Sequence, residues 1–213
     1  MTVRALILGA GGTGRDIVDW LPELRAAGRG IEVAGFLDDD PAKRGTTIAG
    51  LPVLGPLSDA ARTADHLLID ALGSPHSFRE RAHTVGALPD ARFLTVIHPL
   101  ARVSTSAAVG AGSLLYPFVF VGPDVRLGRH ATVLSHAAIN HDATIGEFAI
   151  LASHVALGGQ VTIGPSCYLG MRSTVREGRS VGAGTMVAMG AVVAGDVAPG
   201  VTVAGVPARP IGQ

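Results

Sequence analysis

The chain has 213 residues with 17 basic and 17 acidic side chains, a formal net charge of zero. That balance argues against a protein that neutralises a nucleic-acid backbone. Apolar residues make up 47% and charged residues 16%, the composition of a packed chain and not a disordered one. The single cysteine, Cys167, excludes an internal disulfide and any cysteine-cluster zinc site. With no signal-peptide pattern and no apolar run of about 18 residues, a soluble cytoplasmic protein is the expectation.

Residues 1 to about 97 alternate strand and helix signals. Val3–Leu8 is an apolar run followed at once by the glycine-rich segment 9–14, and from Asp16 the residues Ile17, Trp20, Leu21 and Leu24 recur at helical spacing. Ile31–Leu37 reads as a second strand, closed by Asp38, Asp39, Asp40 and Pro41. Further strands are expected at 51–54, 66–69 and 92–97, with a helix near 78–85. Strand, glycine-rich turn, helix, strand opens a parallel α/β sheet, so a Rossmann-like α/β domain is expected over residues 1–97.

Gly9, Gly11 and Gly14 match a dinucleotide-binding fingerprint after a strand and before a helix. Backbone N–H groups at a helix start bind a diphosphate, and a carboxylate ending the second strand holds a ribose hydroxyl. Gly11, Gly12 and Thr13 are read as diphosphate or sugar contacts, and Asp38 and Asp39 as base or ribose contacts. About 97 residues are short for two mononucleotide halves, which favours one nucleotide diphosphate over NAD. An NAD enzyme, or a tight turn with solvated acids, stays open. Lys43, the only lysine, reads as a solvated loop residue rather than a Schiff-base nucleophile.

From residue 103 the texture changes. Val103, Val109, Leu115, Val121 and their successors to Val193 step by six without an insertion, sixteen positions all Val, Ile or Leu. A mostly small residue follows each by four. This cadence fits neither a helix nor a flat strand and predicts a parallel β-helix, one face and one corner per hexad. Gly110, Gly128, Gly146, Gly164 and Gly182, eighteen apart, imply three faces per coil, the glycines lining one bend. About five coils at roughly 4.8 Å each make a prism on the order of 25 Å tall. Only ten residues between 103 and 198 are charged, so the outer faces are expected to be covered by further copies.

His136 and His154 differ by eighteen and should stack on adjacent coils; His141 projects outward near a corner, which would crowd three histidines together. His141 could serve as a general base with Asp142 orienting it, provided that the pair lies at a bend. Alternatively His136, His141 and His154 ligate zinc, or they are exposed side chains without a role.

The hexads, with Ala204 to Arg209, resemble the hexapeptide-repeat acyltransferases, and the whole chain resembles the NeuD and PglD type of nucleotide-sugar acetyltransferase. The segments that carry the likeness are 8–14, 36–39, 71–73, 97–99, 139–148 and 205–209. The resemblance implies an α/β Rossmann-like domain at 1–97 followed by an all-β left-handed parallel β-helix at 98–213, assembled as a homotrimer. It implies acetyl-CoA-dependent N-acetylation of a nucleotide-linked amino sugar in surface-glycan synthesis, with His141 as base and Asp142 supporting it. Gly73 would join the substrate contacts; Gly159, Met171, Met189 and Arg209 would hold acetyl-CoA, Gly159 through its backbone N–H at the oxyanion. No metal, nucleic acid or membrane insertion is expected. The alternatives are a sialic-acid-type O-acetyltransferase, a zinc hydratase resembling γ-class carbonic anhydrases, and a noncatalytic nucleotide-sugar binder. Many relatives carry a histidine where this chain has Thr13 and a polar residue where it has Leu134.

Overall fold

The computed structural model describes residues 2–63, 65–89 and 92–212; the expected outer bounds Met1 and Gln213 lie outside the described residues. Strand β1 (Val3–Leu8) leads into helix α1 (Gly12–Ala26) and strand β2 (Ile31–Leu37), followed by β3 (Thr47–Ile48), β4 (Leu51–Gly55), β5 (Leu67–Asp70) and a short helix α2 (Arg81–Gly86). The sheet order is β3-β4-β2-β1-β5, parallel apart from the β3–β4 pairing. Ala5 and Ile7 of β1 pack with Ile17, Trp20 and Leu24 of α1, while Leu6 and Leu8 pack with Leu68, Val85 and Phe93. The strand is thus buried on both faces, as parallel strands are. Gly14 is required where α1 crosses the end of β1, because a Cβ there would run into the Gly9 carbonyl oxygen.

The expectation of a Rossmann-like α/β domain is corrected. The chain is a β-solenoid with few helices: among the described residues α-helix is confined to α1 and α2. The links from β2 towards β4 and from β4 to β5 pass through the 3-10 turns Pro41–Lys43 and Leu57–Arg62, where a doubly wound fold has crossover helices. Between β2 and β4 the cause is local, since Pro41, Gly45 and Gly50 interrupt any helical run there. The stretch 92–97 is not one strand either. Phe93 bridges Leu68, whereas β6 (Val96–Ile97) pairs with Leu114–Leu115 and opens the solenoid.

From β6 onward the two-residue strands pair in parallel with the strand eighteen residues further on, until the last rung, where Val181 meets Val197 and Val187 meets Val203 sixteen residues on and Arg209–Pro210 closes antiparallel. Three walls result: wall one with eight strands, wall two with six and wall three with five, counted among the described residues. Wall one runs from β6 through Leu114–Leu115 and Ile150–Leu151 towards the C-terminus; wall two starts at Arg102–Val103 and wall three at Ala108–Val109. The hexad aliphatics point inward, Leu115, Val133, Ile139, Leu151 and Leu157 being fully buried. Each such side chain contributes about 1.5–3 kcal/mol by leaving water.

Each edge of the prism is turned by a residue with left-handed φ. The edge from wall one to wall two carries Phe118, His136, His154 and Arg172 at φ 58–63°. The edge from wall two to wall three carries Asp124, Asp142 and Gln160, and the edge from wall three back to wall one carries His130, Phe148 and Ser166. The glycine column Gly110 to Gly182 has a different reason from the one expected. The bend is made two residues later, and a Cβ on any of these five glycines would strike the backbone of the next rung.

The N-terminal sheet docks on wall one. Trp20 meets Tyr116 edge-on at 4.4 Å between ring centroids, Phe78 meets Tyr168 at 5.7 Å, and a Cβ on Gly73 would lie 2.6 Å from Ile150 Cδ1. At the adjoining edge His130 Nδ1 lies 2.9 Å from Asp70 Oδ2, and Arg79 Nε donates to the Gly184 carbonyl.

Candidate active site

His141 sits on the edge between walls two and three, with its side chain 61% exposed. Asp142, at φ 60°, turns the corner, so the two adjacent side chains converge instead of pointing to opposite faces: His141 Nδ1 and Asp142 Oδ2 are 2.8 Å apart. A proton on Nδ1 shared with the carboxylate leaves Nε2 with its lone pair outward. Asn140 Nδ2 donates to the Leu157 carbonyl at 2.7 Å and Gln160 N–H to the His141 carbonyl at 2.9 Å, which braces the backbone on both sides. On the next rung Gly159 lies beneath the imidazole, and a Cβ there would come within 2.6 Å of Nε2 and Cε1. The absence of a side chain is therefore a steric requirement of the imidazole's position.

The three histidines do not gather. His136 and His154 stack as their spacing requires, with ring centroids 4.8 Å apart and planes at 14°, and Phe118 continues the stack at 4.9 Å from His136. Both occupy the wall one–two edge, one edge away from His141. His136 and His141 are five positions apart, nearly one full hexad, which carries them to successive edges. Among the described residues no group of three His, Cys, Asp or Glu is placed to hold a metal ion, which leaves the hydratase reading without a ligand set inside one chain.

Met171 and Met189 are exposed on the wall one–two edge beside His154 and Arg172, where they line a groove of about 400 Å³. Gly159 belongs to the other edge, in the column His141, Gly159, Glu177 and Gly195. Arg209 is exposed near the end of that column, sharing a recess with Gly195 and Asp196. Within one chain the expected acetyl-CoA residues therefore divide between two edges.

Gly11 and Gly12 open α1, and a Cβ at either would meet open space. Thr13 shares a hydrogen bond with the Tyr116 phenol, whose hydroxyl donates to Asp16 Oδ2 at 3.1 Å; burial pushes that phenol up. Asp38 is occupied internally. Its Oδ2 accepts from Ala10 N–H at 2.8 Å and from Lys43 Nζ at 2.9 Å, and its Oδ1 from Asp40 N–H. Burial raises its pKa, and the hydrogen bonds from Asp40, Lys43 and Ala10 outweigh that and hold the carboxyl below its ordinary value. Asp38 thus ties down the glycine-rich turn, and Lys43 is ion-paired rather than merely solvated. Asp39 accepts from Leu57 N–H at 2.8 Å and borders a cleft of about 590 Å³, which adjoins a smaller one of about 170 Å³ bordered by Gly73, Ser77 and Arg81.

Three residues carry weight that the sequence reading passed over. Asp70, Arg81 and His130 are buried together; Arg81 Nε and Nη2 lie 3.1 and 2.9 Å from Asp70 Oδ2. Burial raises the Asp70 pKa, but the Arg81 charge and the bonds from His130 and Arg81 outweigh it and hold the carboxyl low. This cluster fastens the N-terminal sheet to the solenoid edge.

No family sequence model and no curated relative matches the chain; the likeness is to solved structures. A histidine-to-asparagine variant of perosamine N-acetyltransferase from Caulobacter crescentus, solved with CoA and GDP-perosamine, superposes with a TM-score of 0.84 at 30% identity, covering 98% of this chain and 97% of that one. The chain belongs to the NeuD/PglD-type acetyltransferases. These hexapeptide-repeat enzymes have left-handed β-helices, and this chain is accordingly an acyltransferase. The acetyltransferase domain of PglB from Neisseria gonorrhoeae, solved with acetyl coenzyme A, matches at a TM-score of 0.85 and 28% identity over 99% of this chain and 100% of that domain. WeeI from Acinetobacter baumannii, at 24% identity and a TM-score of 0.65 over 99% of this chain and all of its own, shares the fold. No helix among the described residues of this NeuD/PglD-type chain is long and apolar enough to cross a membrane.

Proposed function

We propose that this chain transfers the acetyl group of acetyl-CoA to the amine of a nucleotide-linked sugar in surface-glycan synthesis, in the cytoplasm, with residues 1–97 holding the nucleotide and 98–213 carrying the transfer. The observation that carries the reading is the His141–Asp142 pair, 2.8 Å apart on an exposed edge with Nε2 over Gly159. The sugar nitrogen attacks the thioester carbonyl carbon while His141 Nε2 takes the proton that the nitrogen loses. The Asp142 carboxylate stabilises the imidazolium that forms. The Gly159 N–H donates to the developing oxyanion, the C–S bond breaks, and the CoA sulfur receives the proton from His141.

The reading requires a second copy. The N-terminal sheet covers wall one and His141 stands on the edge opposite that wall, so a sugar held by Gly11, Gly12, Thr13, Asp39 and Gly73 meets the His141 edge of a neighbouring protomer. The edges differ in charge: Arg172 stands on one, and Asp124, Asp142, Glu177 and Asp196 on the other, where Arg176 and Arg179 of the same chain lie beside Glu177 and Asp196. A homotrimer joining them would place Met171 and Met189 of one copy against Gly159 and Arg209 of the next, with the pantetheine arm between. Replacing His141 by Ala should remove most turnover while acetyl-CoA binding, followed by calorimetry, persists. Near-normal turnover in that variant would end the base assignment.

A further inference from the structure

The stacked pair His136 and His154 has no part in the chemistry above, and its position gives it one. Helix α1 lies with one stripe on a single column of wall one. Glu23 Oε2 is 3.1 Å from His98 Nε2, Trp20 touches both His98 and Tyr116, and Asp16 and Thr13 reach Tyr116. His98 and Tyr116 are eighteen apart and occupy successive rungs, so the helix start points towards the rungs that follow, those of Leu134 and Ala152. Gly73 packs on Ile150, and Gly9 lies against Leu72. The glycine-rich turn and the segment 71–73 therefore open over the rungs 132–134 and 150–152. Two residues further along these same rungs the chain turns the edge, at His136 and His154. On the next two rungs come Met171 and Met189, whose groove His154 also lines.

We infer that His136 and His154 read the hydroxyl groups of the amino sugar, at the point where the nucleotide end and the acetyl-CoA end of the site meet. The inference rests on the acetyltransferase reading. The ring geometry decides what kind of contact they make. Phe118 and His154 cover the two faces of His136, and His136 covers one face of His154. Stacking on a sugar ring is thus closed to His136, while the ring edges, which carry the nitrogens, remain exposed. Each edge offers an N–H donor and a lone pair, the complement of a sugar hydroxyl. The two rungs stand about 4.8 Å apart, close to the spacing between equatorial hydroxyls on alternate carbons of a sugar ring. These residues are specificity determinants of the acceptor, distinct from the base.

The test starts with a panel of GDP-, UDP- and CMP-linked amino sugars incubated with acetyl-CoA, which picks the acceptor that the wild type acetylates fastest; acetylation of none would refute the acetyltransferase reading itself. With that acceptor, His136→Phe and His154→Phe keep the stack and remove the edge nitrogens. Each should raise the acceptor KM about five-fold, the worth of one hydrogen bond. The acetyl-CoA KM, the Kd of the free nucleoside diphosphate and the sedimentation of the assembly should stay as in the wild type, and His154→Asn should restore part of the loss. An unchanged acceptor KM, an equal rise for the free nucleoside diphosphate or for acetyl-CoA, or a dissociated assembly would each overturn the inference, the last by making the stack an interface packing element.

Discussion

The Tyr116 hydroxyl donates to Asp16 Oδ2 across 3.1 Å, joining residues one hundred positions apart and pinning the first turns of α1 to wall one. Trp20 and His98 extend the contact, with His98 Nδ1 accepting from Leu100 N–H and Nε2 facing Glu23. The turn proposed to hold a diphosphate is thereby set relative to the solenoid. Tyr116→Phe keeps the ring packing and removes the latch. The nucleotide-sugar KM should rise about three- to ten-fold, part of the worth of a hydrogen bond to a charged group because the latch acts through the turn, with the acetyl-CoA KM unmoved. Steady-state kinetics with both substrates varied checks this; equal rises in the two constants would mean general loosening instead.

Gly159→Ala adds a methyl group 2.6 Å from His141 Nε2. The imidazole must swing away, and a displacement of about 1 Å costs about a hundred-fold in turnover. Unfolding midpoints should barely change, because the added group meets an exposed side chain. A variant with wild-type kcat would show that the imidazole does not work from this rotamer.

The buried Asp70–Arg81–His130 cluster makes a prediction about stability. Asp70→Ala leaves the Arg81 guanidinium buried without its carboxylate, a loss of about 3–5 kcal/mol, readable in urea titrations. The wild type has a matching acid limb. Because the folded Asp70 pKa is held below its ordinary value of 3.8, its contribution is complete above that value and is lost as pH falls below it towards the folded pKa. Stability followed from pH 7 downwards should therefore fall most steeply below about pH 4, and Asp70→Ala should flatten that limb.

In the proposed homotrimer a threefold axis parallel to the prism would keep rungs level between copies, so that Arg172 on one edge would face Glu177 on the neighbour's. Arg172→Glu should weaken the trimer and Glu177→Arg in the same chain should restore it, each pair contributing up to about 1 kcal/mol. Sedimentation velocity reads the effect; a monomeric wild type would refute the assembly.

The solenoid was legible because its signal repeats: an inward aliphatic every six residues and a rung every eighteen leave a periodic trace, and the stacking of His136 on His154 follows from arithmetic. The same arithmetic separates His136 from His141, a consequence available from their spacing of five. The N-terminal part was legible in its strands Val3–Leu8 and Ile31–Leu37 but not in its class. The alternation suggested helical crossovers, and between β2 and β4 Pro41, Gly45 and Gly50 do not permit one. Asp38 looked like a ligand residue, since a strand-ending carboxylate bonded to its own turn has the same sequence appearance as one left open for a ribose.

By itself the sequence determined the coil, its three walls and the left-over polar residues at its corners, because those depend on interactions that recur at fixed short intervals along the chain. It was the tertiary structure that decided which wall the small sheet covers, that Asp142 turns a corner and so reaches His141, and that Asp70, Arg81 and His130 share one buried charge. Those outcomes depend on single contacts between segments far apart in the chain, and a contact made once leaves no period to read.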